Sequence, residues 1–428
     1  MDVAKKPALI KEPSRFDTSK PGMDSAISVG LRRYSREDTE QALSLLRNYE
    51  KRTNFSDTEH VAIAKQIGLT FAKRFDPRAL AIMEQFDPNL HDDNVSEWRA
   101  RLLLRLGRWQ EAAALIERFP PSLAQTNRWR YWQARSLQLA NNNDPRAKEL
   151  FKELANERDF YGFMAADQVK APYRLNHKPL VLSEQVQRSV REAPGIRRAL
   201  EFHHRGENVE GRREWYNATQ HFTQEQQVAQ AKLGYDMQWY FPAIRTLAQA
   251  RYWDDLDIRF PMPFKNMMVR HSRAREINPS WAYAITRQES AFMMEAQSHV
   301  GASGLMQLMP ATARETAQRY NIPYSTKQQM ISPDTNIQLG TAYLSQVYGQ
   351  FKGNRVLASA AYNAGPGRVR QWLRDTQHLG YDVWVENIPF DETRSYVQNV
   401  LTYAVIYGDK LNKPQSLVEW HERYFDGL

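Results

Sequence analysis

Glu289 is the residue whose surroundings most clearly suggest chemistry. In INPSWAYAITRQESAF, Asn278 is placed to cap a helix and Pro279 suits its first turn. On the helix that follows, Ile285, Glu289 and Phe292 fall at i, i+4 and i+7, which sets a carboxylate on the apolar face. An ionised group there must pair, sit in a cleft, or hold its proton with a raised pKa. The plain alternative is a Glu paired with Arg, or exposed at the rim of the stripe. The next block, HVGASGLMQLMPATARETAQRY, puts Gly301 and Gly304 in a turn. A short extended stretch is predicted after them, with Leu305, Gln307 and Met309 on one side, before Pro310 opens another helix. Gln307 there could hold a substrate amide or hydroxyl while Met309 keeps the wall dry; packing accounts for Gln307 equally well and is the better account of Met309.

Two further blocks present polar side chains at helix ends. Tyr362 and Asn363 end the helix of RVLASAAYNAGPG, from where side chains can face a cleft. Gly365-Pro366-Gly367 lacks the GK[ST] of a phosphate loop, and Pro366 removes one amide donor, so it reads as a turn. In ENIPFDETRSYV, Asp391 is the expected N-cap and Glu392 a first-turn acid favoured by the helix dipole. Tyr396 either reaches a sugar face or packs between helices.

Helices have to position all of these groups. Between about residues 31 and 170, apolar residues recur at three- and four-residue intervals, and strand signals are scarce along the whole chain. Trp98, Ala100, Arg101 and Leu103 recur 34 residues later as Trp132, Ala134, Arg135 and Leu137; Ala113 and Ile116 recur as Ala147 and Leu150. That period belongs to stacked helix–turn–helix repeats, so residues 1–171 are read as an α-superhelical domain with Trp and Leu in its core. Two prolines within 172–186 mark an extended linker. Helical pairs resume over 187–259, and RFPMPF at 259–264 opens a last domain over 260–428.

Composition excludes several classes of protein. The 11 Trp, 20 Tyr and 18 Phe argue against disorder. No apolar run approaches the roughly 18–20 residues of a membrane helix. Zero Cys excludes disulfides, Cys-ligated zinc and thiol nucleophiles. No HExxH or spaced His cluster indicates a metal, and adjacent His203-His204 is not ligand geometry by itself. The net charge of +9 comes from basic residues interleaved with acids, which does not favour nucleic acid.

Taken together, QESAF at 288–292, Ser298, VGASGLMQLMP at 300–310, AAYNAGPG at 360–367 and IPFDETRSYV at 388–397 resemble the soluble lytic transglycosylases of the bacterial cell wall, of the Slt type. The resemblance implies a mostly α protein with an α-superhelical N-terminal domain, a helical linker domain and a lysozyme-like (goose-type-like) catalytic domain. It implies that Glu289 is a single catalytic acid/base. Glu289 would protonate the oxygen between N-acetylmuramic acid and N-acetylglucosamine, then deprotonate the muramyl 6-hydroxyl to close a 1,6-anhydro ring without net addition of water. Ile285, Phe292, Met306 and Met309 would keep that carboxylate dry.

By the same resemblance Ser298, Gln307, Met309, Tyr362 and Tyr396 bind substrate, and Asn363 and Glu392 support the site. No metal or cofactor is implied. The implied partners are peptidoglycan strands and muropeptides, with cell-wall synthases or inhibitors as further candidates. The chain is expected to be a monomer in the periplasm, its export signal removed or cut away and its superhelical part shorter than the family's full form. Two other readings use the same residues. One is a lysozyme- or chitinase-type hydrolase with Asp334 or Glu392 as second carboxylate. The other is a helical scaffold that binds glycan without cleaving it.

Overall fold

The computed structural model of the chain describes residues 3–425 apart from 142, 375 and 377. The protein is mostly α. Among the described residues there is no sheet, only isolated antiparallel bridges such as Gln297–Ser303 and Ser303–Leu308. No helix among them is long and apolar enough to cross a membrane. Contacts divide the chain into two compact units.

The first unit comprises Met1–Asn156, Met164–Pro172 and Leu379–Arg394. Within it the helix pair Asp93–Arg105 and Trp109–Glu117 recurs as Asn127–Ala140 and Pro145–Leu154, the leading helices starting 34 residues apart. Asp92 and Thr126 cap the leading helices through their side-chain oxygens, which satisfies amides that have no partner inside the helix. Gly107, at φ +68°, makes the first turn between partners. Trp98 and Trp132 are both fully buried, so the repeat is a repeat of core positions.

The repeated arginines hold another part of the same unit. Arg101 donates from Nε to Glu386 Oε1 at 3.0 Å, and Arg135 donates from Nε to Asp382 Oδ2 at 2.9 Å. Asp382 and Glu386 are one turn apart on the short helix Tyr381–Glu386, so the 34-residue repeat is matched by an i, i+4 pair. Trp132 adds an Nε1–H bond to Glu386 Oε2 at 2.9 Å. These contacts hold Leu379–Arg394 within the first unit.

The second unit comprises Glu157–Phe163, Tyr173–His378 and Ser395–Leu428. Residues 171–183 carry no helix, whereas the helix Glu184–Glu192 begins inside the stretch 172–186 read as a linker; the helix-free part is tied by its amides, Lys178 N donating to Asp254 O and Leu180 N to Asp255 Oδ2. The helices Glu184–Glu192, Pro194–His204, Asn208–Thr219, Gln224–Asp236 and Tyr240–Gln249 follow. Val190, Ile196, Trp215 and Trp239 share one core among them. The break at 259–264 lies inside this unit. Pro261 and Pro263 interrupt the helical ladder, and their carbonyls accept the hydroxyls of Tyr407 and Tyr283 at 3.2 and 2.8 Å. The remaining helices that matter for the site are Pro279–Ser290, Pro310–Tyr320, Pro333–Gln350, Arg355–Ala364 and Asp391–Lys410.

Candidate active site

Asn278 caps the Pro279–Ser290 helix through Oδ1, which accepts from Ser280 N at 3.0 Å, and residues 281–286 are buried. The helix stops one residue after Glu289. Ala291 and Phe292 both take positive φ, +46° and +67°, which is unusual for side chains with a Cβ and most unusual for a bulky one. The expected i, i+7 partnership of Ile285 with Phe292 on one helical face is therefore wrong. Phe292 is buried from beyond the helix end, and Glu289 stands half-buried in the last turn. Ser290 fastens this termination: its hydroxyl donates to Leu305 O at 2.7 Å and accepts from Phe292 N at 3.1 Å.

One phenol binds the carboxylate, and a second is spent on the loop beside it. Tyr396, 4% exposed, donates its hydroxyl to Glu289 Oε1 at 2.7 Å. Tyr362 donates to Met306 O at 2.8 Å, and its ring lies 5.3 Å from that of Tyr343. Burial, then the charge of Glu289, pushes the hydroxyl pKa of both Tyr396 and Tyr362 well above the usual phenol range. Each remains a neutral donor at any physiological pH.

The glycine-rich block folds differently from expectation. Residues 304–307 make a tight turn closed by Ser303 and Leu308, which exchange backbone bonds of 3.0 and 3.2 Å. Gly304 and Gln307 both have positive φ, +81° and +45°, so no extended stretch forms and Leu305, Gln307 and Met309 share no side. Leu305 is buried, Gln307 half-buried, and Met309 40% exposed. Met306 is the thioether that is buried here; Gly340 leaves room for it, since a Cβ there would come 2.3 Å from its sulfur. Gln307 donates from Nε2 to Ala296 O at 3.0 Å and Gly304 O at 2.8 Å, which engages both amide hydrogens and leaves Oε1 as its outward function. Ser298 Oγ accepts from Ala302 N at 2.9 Å and keeps its hydroxyl hydrogen to donate.

Asn336 is the residue that sequence reading missed. Fully buried on the Pro333–Gln350 helix, it accepts from Met306 N at 2.8 Å and donates to Met330 O and Ser303 O at 2.7 and 3.2 Å. A Cβ on Gly304 would meet Asn336 Nδ2 and Met330 O at 2.2 Å, so the glycine admits the amide. The readable sign was Asn336 one turn before Gly340, a polar and a minimal residue on one helix face.

The other candidates are placed as follows. Asn363 is half-buried beside Tyr362 in the last turn of Arg355–Ala364. Glu392 is exposed in the first turn of Asp391–Lys410, in the part of that helix belonging to the first unit. Asp391 is that helix's first residue instead of its cap, and its carboxylate pairs with Arg394. Asp334 binds Arg270 Nη2 at 2.6 Å and His271 Nε2 at 2.9 Å, and the His271 hydrogen bond holds its pKa below the usual range. The arrangement therefore offers one half-buried carboxylate beside neutral donors, a group suited to giving and taking a proton at a bond held against it. Among the described residues, no group of three or more His, Asp or Glu is placed to hold a metal.

Three family models match the chain. They are the transglycosylase SLT domain over residues 266–385, the soluble lytic murein transglycosylase L domain over 189–256, and the soluble lytic transglycosylase helical domain over 387–416. The soluble lytic murein transglycosylase of Salmonella typhimurium is 37% identical over 336 residues, covering 77% of this chain and 52% of the relative. The chain thus spans about half the length of the curated relatives it matches. Among solved structures, an inactive glutamate-to-glutamine mutant of the lytic transglycosylase Slt from Pseudomonas aeruginosa superposes with a TM-score of 0.96 at 59% identity, over 100% of this chain and 69% of that one. The 70-kDa soluble lytic transglycosylase in complex with bulgecin A superposes with a TM-score of 0.87 at 30% identity, over 99% and 69%.

Proposed function

The chain belongs to the soluble lytic murein transglycosylase family, and from that premise we propose that it cleaves the β-1,4 bond between N-acetylmuramic acid and N-acetylglucosamine in peptidoglycan without hydrolysis, Glu289 acting first as acid and then as base. The observation that carries this reading is the Glu289 carboxylate, half-buried and joined to the buried Tyr396 hydroxyl at 2.7 Å. Protonated Glu289 gives its hydrogen to the glycosidic oxygen as the C1–O bond breaks. The substrate's acetamido oxygen stabilises the cationic C1. The carboxylate then takes the 6-hydroxyl proton as O6 bonds to C1, which restores the acid and yields a 1,6-anhydromuramyl end. No second protein carboxylate is required, unlike the two of ordinary glycosidases.

Ser298 through its hydroxyl hydrogen, Gln307 through Oε1, and Met309 through its exposed thioether are the proposed substrate contacts, with Tyr362 and Tyr396 behind the acid and Asn363 and Glu392 in support. An inactive Glu-to-Gln mutant of the Pseudomonas relative supports one glutamate as an essential group. The 70-kDa relative is solved in complex with bulgecin A, and cell-wall synthases or inhibitors are proposed as further partners of this chain. A peptidoglycan substrate supports the periplasm as the proposed site of action. A hydrolytic route is the poorer account, because Asp334 is already held by Arg270 and His271.

Mass spectrometry of products from purified sacculi tests the reading. Anhydro ends, each one water lighter than a reducing end, are expected, and Glu289→Gln should lower their release by about a hundredfold or more. Reducing muramyl ends, or release unchanged in the variant, would overturn it.

A further inference from the structure

Within the second unit, residues 189–256 build a helical core of their own, while Glu289 and the loop after it lie in the stretch 266–385. Among the described residues, one polar side-chain contact joins these two stretches. Arg212, on the helix Asn208–Thr219, donates from Nη1 to Glu295 Oε1. Neither side chain has another ion-pair or hydrogen-bond partner among the described residues. Both are half-buried, where water screens a pair of charges less than at an open surface. The two residues are 83 positions apart, so only the closed chain brings them together.

Glu295 stands in the loop that leaves the Glu289 helix and returns through the tight turn at 304–307. The next residue, Ala296, offers one carbonyl to both Gly304 N, at 2.9 Å, and Gln307 Nε2, at 3.0 Å. Ser298 follows, its hydroxyl oxygen accepting from Ala302 N. Ser298 and Gln307 therefore both depend on backbone just beyond Glu295. That backbone is thinly covered, since Met294, Gln297, His299 and Val300 are all exposed. The Arg212 end is firmly fixed by contrast. A Cβ on Gly211 would come 3.1 Å from Ala199 O, so the Asn208–Thr219 helix lies close against Pro194–His204. Trp215 is fully buried and donates from Nε1 to Thr246 Oγ1 at 2.8 Å. A rigid helix thus meets an exposed loop at a single ion pair, which is how a scaffold can set side chains it does not touch.

We propose that Arg212 is a positioning residue for the proposed reaction: through Glu295 it holds the 293–298 loop where the Ser298 hydroxyl and Gln307 Oε1 can receive the glycan. This rests on the peptidoglycan reading above and deepens it. The acid itself stays outside this line of contacts, because the Tyr396 hydroxyl reaches Glu289 from the helix Asp391–Lys410. Loss of the ion pair therefore loosens substrate capture and leaves the proton-transfer groups in place. Gln at either position removes the charge with little change of shape, and exchanging the two charges restores the attraction with its ends reversed.

Two measurements on the full chain test this. The first is amide hydrogen exchange over residues 293–304, read without substrate. Arg212→Gln and Glu295→Gln are each expected to speed it by about fivefold, and Arg212→Glu combined with Glu295→Arg to bring it back within about twofold of the parent. The second is turnover of soluble muropeptides. Arg212→Gln is expected to raise KM by about fivefold with kcat held within about twofold, because the lost contacts bind substrate and transition state alike. A role confined to stability would leave that split untouched. Should Arg212→Gln not fold, Glu295→Gln, which breaks the pair from its more exposed end, decides the matter by the same two readings. Loop exchange unchanged in the single variants, a fall in kcat without a rise in KM, or a charge swap no better than the single variants would overturn the proposal. Exchange needs no substrate and product mass is measured separately, so failure of the lytic reading and failure of this one are distinguishable.

Discussion

Glu289 owes its setting to a neighbour 107 residues away, the hydroxyl of Tyr396. A hydrogen bond from a buried phenol to a carboxylate is charge-assisted and fixes the rotamer of the group it meets. Tyr396→Phe keeps the ring and removes the donor. A rate loss of about tenfold or more on soluble muropeptides is expected, with the thermal midpoint held within a few degrees. An unchanged rate would remove the phenol from the machinery. The same geometry bears on pH. Because burial and Glu289 push Tyr396 and Tyr362 well above the ordinary phenol value of 10.0, neither ionises below that point. Any alkaline fall in activity between pH 8 and 10, read from a rate profile, should therefore persist in Tyr362→Phe. The type of residue at 289 was legible from its run of apolar neighbours. Its hydroxyl partner is not legible in the sequence, because nothing local to Tyr396 indicates where its hydroxyl goes.

At the scale of elements, the site depends on a helix that stops early and a loop that turns tightly. Helical spacing extended the Pro279 helix through Phe292 because apolar periodicity carries no information about where Ser290 sends its hydroxyl. Alternating Leu305, Gln307 and Met309 after Gly304 suit an extended strand. The turn wins because Asn336 offers one acceptor and two donors to backbone that a strand would leave unpaired. Asn336→Ala should cost about 3 kcal/mol in urea unfolding, the sum of a lost buried network and a cavity, and should lower activity with it. A loss below about 0.5 kcal/mol would show that the loop holds itself.

For the whole chain, the first unit is held to its C-terminal strand of sequence by a buried charge cluster. Burial pushes the Glu386 carboxyl up, but Arg128, Arg101, Arg394 and the Trp132 N–H outweigh it and bring the pKa from 4.5 to about 2. A carboxylate depressed in the fold stabilises above its unfolded value and loses that contribution as pH falls. The stabilisation is full above about pH 4.5 and is lost progressively as pH falls toward 2, with a size on the order of 3 kcal/mol. Glu386→Gln should lower stability at pH 7 by a similar amount and flatten the acid dependence, as followed by circular dichroism against pH. Equal acid sensitivity in the variant would place the titrating group elsewhere. Cutting the chain at 259/260, the boundary that two prolines suggest, would sever the second unit, across which Arg287 donates to Arg259 O, Gln398 donates to Tyr161 Oη and Lys410 pairs with Asp257. Such a fragment should therefore lose activity on small muropeptides as well as on sacculi, an outcome that dialysis-free turnover assays on both can check.

Residue type and spacing alone determined the helical character, the 34-residue repeat, the helix that carries Glu289 and the blocks that point to a cell-wall enzyme. These are legible because helical periodicity and turn chemistry act within a few residues along the chain. Only the tertiary structure decided that the Glu289 helix ends at Ser290, that Tyr396 meets the carboxylate, that Asn336 shapes the loop, and that Leu379–Arg394 packs with the repeats. Arg101 and Glu386 are 285 positions apart. Burial and charge pairing select such partners only once the chain has closed on itself, and no local pattern records which donor a buried carboxylate will find.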